Sequence, residues 1–179
     1  MAVTAIGGYA PDFELPGADA QVHHLARYLE RHQAVCVVFM CNHCPYVKLY
    51  LDRLKAIHQD YASKGVALIG MNPNDANQFP EDSFEKMKVF AAEQGIAFPY
   101  LRDETQDVAH TFGATKTPQV FLLNQAGVLV YSGAIDDNAQ DASAVKVAYL
   151  RKALDQVLSG KAIELTTTEP VGCSVKWRP

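Results

Sequence analysis

The chain holds 179 residues, 49% of them apolar, with a formal net charge of -4 and four cysteines. That length suits one α/β domain around a single core, and mild acidity without a run of Lys or Arg excludes a surface for nucleic acid or an anionic membrane. The first residues carry no basic segment followed by an apolar run, and no stretch reaches membrane-span length, so a cytoplasmic protein is expected.

Segments 13–15 and 22–25 flank Gly17-Ala18-Asp19-Ala20, whose glycine and aspartate favour a turn, so the pattern predicts a short N-terminal hairpin leading into a helix through Arg31. Residues 34–40 are apolar without interruption over the length of a strand, as in a central strand covered on both faces. From 45 to 62, Val47, Leu51, Leu54, Ile57 and Tyr61 recur at spacings of three and four, which marks an amphipathic helix that Gly65 ends. A buried strand at 66–71, a polar loop at 72–82 with Pro73 and Pro80, a helix at 83–94 capped by Ser83 and a strand near 98–101 come next. Then come a short helix at 105–112, strands at 119–123 and 128–132 joined by the turn 124–127, and a last helix at 144–158.

Alternating strands and helices require parallel pairs with right-handed crossovers, and the closing hairpin adds antiparallel strands. The predicted fold is therefore α/β, a mixed central sheet with helices on both faces, occupying residues 1–160. Residues 161–179, with Thr166-Thr167-Thr168 and two prolines, lack periodicity and are expected to form an irregular tail packed on the domain.

Chemistry concentrates at Cys41-Asn42-His43-Cys44, where a buried strand ends and a helix begins. A helix N-terminus offers free N–H groups and partial positive charge, which stabilise a thiolate. Two intervening residues let the sulfurs close a disulfide, so one thiol can attack a partner's disulfide and the other release it. Cys41, nearer the strand end, is expected to attack with a lowered pKa, Cys44 to resolve, and His43 to act as a cation and donor beside them. Structural zinc would need further ligands, and the chain has no second Cys-x-x-Cys or His-x3-His. Thr117-Pro118, directly before a strand, implies a constrained turn because proline cannot donate to a ladder.

The chain resembles the thioredoxin-like redoxin group, including its alkyl hydroperoxide reductase/thiol-specific antioxidant relatives, through Ala10-Pro11-Asp12-Phe13, Val38-Phe39-Met40-Cys41-Asn42-His43-Cys44-Pro45, Thr117-Pro118 and Gly127. The resemblance implies a thioredoxin-like fold and a redox-active disulfide exchanging with protein disulfides or dithiols, supplied by a thiol reductant system and contributing antioxidant activity. It also implies a cis Thr117-Pro118 bond whose Thr117 backbone receives a partner's extended chain; on the residues themselves, neither a cofactor nor a metal is expected. Two departures stand out: Val37 and Cys41 occupy the Pro and Thr places of the peroxidatic motif, and Val35 stands where thioredoxins carry a buried Asp. Thiol peroxidase and a Cu(I) carrier using His110 remain as alternatives, separable by reaction with peroxide and by copper titration. Asp12, Asp103, Tyr46 and Lys48 are weaker candidates for tuning the site. Cys36 is expected to be an inert core thiol. Cys173, with Trp177, either anchors the tail or returns to Cys41 as an alternative resolving thiol.

Overall fold

In the computed structural model, which describes residues 3–179, β1 (Glu14–Pro16) pairs antiparallel with β2 (Val22–His24) and runs into α1 (Leu25–Arg31). Asp12 fixes that corner: its Oδ1 accepts the backbone N–H groups of Phe13 at 3.0 Å and Ala26 at 3.1 Å. It is a structural cap, not a tuner of the cysteines.

The remaining elements are β3 (Ala34–Phe39), α2 (Pro45–Ala62), β4 (Val66–Asn72), α3 (Phe84–Gln94), β5 (Tyr100–Arg102), α4 (Asp107–Phe112), β6 (Lys116–Thr117), β7 (Gln119–Asn124), β8 (Leu129–Gly133), α5 (Tyr149–Leu158) and β9 (Cys173–Ser174). Five strands form the central sheet in the order β5-β4-β3-β7-β8. The first three run parallel, and β7 and β8 join antiparallel. This mixed sheet, with helices on both faces, is the thioredoxin-like architecture.

Alternation along β3 divides the core in two. Cys36 and Val38 face α2, α3 and α5, meeting Leu54, Met87 and Leu154, whereas Val35, Val37 and Phe39 face α1 and α4, meeting Leu25 and Phe112. A strand whose successive side chains point to opposite faces must be apolar throughout when both faces are covered. Cys36 is fully buried, which pushes its thiol well above the ordinary range and leaves it inert.

Two boundaries differ from expectation. Residues 144–148 are not part of the last helix: Asp137 Oδ1 accepts the Lys146 N–H at 2.9 Å and the Asp137 N–H reaches the Val147 carbonyl at 3.2 Å, so side-chain and loop bonds hold this stretch open until Tyr149. The tail, for its part, supplies a strand, β9, which pairs antiparallel with β6. Among the described residues no helix is long and apolar enough to cross a membrane.

Ser83 caps α3 as its sequence suggests, its Oγ accepting the Lys86 N–H at 3.2 Å. Ser83→Ala is expected to lower the unfolding free energy by about 1 kcal/mol. Urea denaturation measures it, and an unchanged midpoint would show that the cap contributes nothing.

Candidate active site

The register carries the site together. β3 lies between β4 and β7, with Phe39 opposite Gln119, so the residues just after β3 and just before β7 meet at the same edge of the sheet. Cys41 and Cys44 come from the first connection, Thr117 and Pro118 from the second. The Thr117–Pro118 peptide is cis.

Pro45 opens α2, and Cys44 is its N-cap, in extended conformation. Proline favours the first helical position, where its missing N–H costs nothing. Cys44 therefore holds the place where the first-turn backbone N–H groups lack intrahelical partners. Cys41 sits three residues before that cap. Its Sγ is 3.7 Å from Thr117 Oγ1, while Cys44 Sγ is 3.4 Å from the Thr117 carbonyl. Both cysteines are buried.

A carboxylate that sequence spacing does not reveal completes the group. Asp82, fully buried, accepts the Asn42 backbone N–H at 2.7 Å and the side-chain amides of Asn74 at 3.0 Å and Asn72 at 3.1 Å. His43 Nδ1 lies 2.6 Å from Asp82 Oδ2, though off the hydrogen-bond direction, and its ring stacks on Phe79 at 5.8 Å. Tyr100 donates to Asn42 Oδ1 at 2.7 Å and accepts from Asn72 at 3.2 Å, closing the network. The loop 72–82 is thus the floor of the site.

These contacts reverse the expected electrostatics of the pair. Cys41 lies beside the Cys44 sulfur, is desolvated, and faces the Asp82 charge, so its thiol is held far above the free-cysteine range. The Cys44 thiol is lowered, chiefly by the neighbouring Cys41 thiol and further by Cys173. When Cys44 carries the proton, it donates to the Thr117 carbonyl and lies within the same reach of Cys173 Sγ. The lowered thiol thus falls on Cys44 where Cys41 was expected, and the His43 ring faces Asp82. Reduced protein is expected to show a thiolate absorbance step below the free-cysteine pKa of about 8.5, lost in Cys44→Ser. A step that survives this substitution would assign the low-pKa thiol elsewhere.

The model of the AhpC/TSA family matches residues 6–132. The chain belongs to the AhpC/TSA family. An uncharacterized conserved protein of Geobacillus kaustophilus is similar in structure at a TM-score of 0.91 and 38% identity, covering 99% of this chain and 94% of that one. A hypothetical protein of Sinorhizobium meliloti 1021 matches at 0.90 and 38%, covering 97% and 95%. The thiol-disulfide oxidoreductase ResA of Geobacillus thermodenitrificans is 27% identical over 123 residues, 69% of this chain, which spans 66% of that relative's length.

Within this AhpC/TSA chain the other candidates fall into structural roles. Asp103, buried and raised by that burial, caps α4 through the N–H groups of Ala109 at 2.8 Å and Val108 at 3.4 Å. Lys48 is exposed on α2 and Tyr46 half-buried. His110 is stacked on Trp177 at 4.2 Å and belongs to no ligand cluster among the described residues, so it does not complete a copper site with the pair. The donor atoms that do converge, within 4.8 Å, are those of Cys41, His43 and Asp82. Asp82 already accepts three amide donors there, so the trio reads as an acid-base group and not as a cage awaiting an ion.

Two participants lie beyond the reach of sequence patterns. Asp82 sits in a polar loop with no spacing rule relating it to the pair. Cys173 is a candidate by its chemistry, but its partner is Cys44, with the two sulfurs 2.7 Å apart, and not Cys41.

Proposed function

We propose that this protein is a thiol-disulfide oxidoreductase in which Cys44 is the attacking thiolate and Cys41 the resolving thiol, acting on disulfides or dithiols of protein partners. The observation that carries it is the place of Cys44 as the N-cap of α2, with Cys41 buried beside it and the Thr117 carbonyl against its sulfur. Attack by Cys44 on a partner disulfide forms a mixed disulfide and expels the partner's other sulfur as a thiolate. Cys41 then loses its proton, attacks Cys44 Sγ, and releases the partner's remaining sulfur, leaving Cys41–Cys44 oxidised. Asp82 is within reach of Cys41 and of His43, so it is the group that positions a proton acceptor for this second step. It takes the part that Val35 leaves open.

Thr117 contributes backbone. Its carbonyl faces Cys44, and β6 is the strand edge, occupied by β9 in this structure, that an extended partner segment would take over for its sulfur to meet Cys44. Electrons return from a thiol reductant, which reduces Cys41–Cys44 by the same exchange.

The test is reduction of insulin with dithiothreitol as the thiol supply. Catalysis above the uncatalysed rate, lost on alkylation of the pair, is expected; the absence of catalysis together with rapid consumption of hydrogen peroxide by the reduced protein would instead establish the thiol peroxidase reading, which the helix-start thiolate and family membership also favour.

A further inference from the structure

The edge at β6 is already occupied. Strand β9 pairs with it in antiparallel register, Cys173 opposite Thr117 and Ser174 opposite Lys116. The approach is so close that a Cβ on Gly172 would collide with the Thr117 carbonyl group, so only glycine fits. Cys173 Sγ is 2.7 Å from Cys44 Sγ. Residues 175–177 hold the strand in place: the Val175 N–H reaches the Thr115 carbonyl at 3.0 Å, the Lys176 carbonyl accepts from the Asp75 N–H at 2.8 Å and from Gln106 Nε2 at 2.9 Å, and Trp177 stacks on His110. Val175 is buried.

Resting on the oxidoreductase reading, we propose that Cys173 is a third redox thiol: the C-terminal strand sits in the partner's place beside Thr117 and exchanges disulfides with Cys44. From the Cys41–Cys44 disulfide, Cys173 gives up its proton and attacks Cys44 Sγ. The Cys44–Cys173 bond forms as the Cys41–Cys44 bond breaks, and the electron pair and a proton end on Cys41. No net oxidation occurs, so no oxidant is required. The contact is already within bonding approach and needs no movement of the anchored segment beyond β9, in contrast to a link between Cys173 and Cys41. Burial and the neighbouring Cys44 raise the Cys173 thiol, so in the reduced protein it waits in the protonated form. A protein partner reaches Cys44 only by displacing β9, so the tail also sets which partners gain access.

Mild oxidation with diamide followed by peptide mapping tests this. In Cys41→Ser the expected product is an intramolecular Cys44–Cys173 disulfide; in the wild type both Cys41–Cys44 and Cys44–Cys173 appear; in Cys173→Ala only Cys41–Cys44. Exclusive mixed or intermolecular disulfides in Cys41→Ser, with Cys41–Cys44 still forming in Cys173→Ala, would overturn the third-thiol proposal and leave the oxidoreductase reading standing. Failure of Cys173→Ala to form Cys41–Cys44 would overturn the oxidoreductase reading itself. Gly172→Val, whose side chain collides with Thr117, is expected to lose the Cys44–Cys173 product while keeping Cys41–Cys44. An undiminished Cys44–Cys173 yield would refute the docking of β9 at this edge.

Discussion

Cys44→Ser is expected to abolish disulfide reductase activity, a loss on the order of a thousandfold or more, because a hydroxyl cannot replace a thiolate as the attacking group. The ground for choosing Cys44 is positional. It caps α2, where the first-turn N–H groups have no intrahelical partner and the helix dipole favours negative charge. Cys41 lies outside that field, desolvated and next to the Asp82 charge. Cys41→Ser is expected to behave differently: the first attack still occurs, but the partner remains attached to Cys44, so a mixed disulfide accumulates and turnover stops. Non-reducing electrophoresis with insulin as partner distinguishes the two. Trapping by Cys44→Ser with a dead Cys41→Ser would return the attacking role to Cys41 and remove the helix-cap argument.

Asp82→Ala is expected to cost roughly 3–5 kcal/mol, comparable with breaking a buried ion pair. The Asn42 N–H and the amides of Asn72 and Asn74 would lose a common acceptor in a region without solvent, and a buried donor left unpaired incurs its full desolvation cost. In a domain of this size that corresponds to a fall in Tm of roughly 6–20 °C. The electrostatic consequence has a definite sign. The Asp82 charge opposes ionisation of Cys41, so its removal shifts the Cys41 thiol downward, towards the free value. Asp82→Asn separates the two effects, since it keeps the volume while removing the charge: the same downward shift of Cys41 is expected with a smaller loss of stability. Thermal unfolding followed by circular dichroism and thiolate absorbance against pH provide the readouts. A change in stability under about 1 kcal/mol for Asp82→Ala would mean that the loop 72–82 holds itself together without its carboxylate, and an unmoved Cys41 would remove Asp82 from the resolving step.

The sheet, the hairpin and α2 were legible in the sequence because their signals are local. The unbroken apolar run of β3 reports burial on two faces, the spacing from Val47 to Tyr61 reports one helical face, and both survive any arrangement of the rest of the chain. Pro45 even marks Cys44 as the cap, since proline at the first helical position leaves the preceding residue as N-cap. Which sulfur carries the charge was a tertiary matter. Charge and desolvation act through space, and the groups that decide them come from far along the chain: Asp82 meets Asn42 across 40 residues, Thr117 meets Cys44 across 73, and Cys173 meets Cys44 across 129. No periodicity encodes such a meeting. The aperiodic tail carries no strand signal either, because β9 is two residues long and is ordered by the edge of β6, not by its own propensity. Sequence alone determined the fold class and the cysteine pair; packing of distant segments against the start of α2 decided which groups surround that pair, Asp82 beside Cys41 and Cys173 beside Cys44.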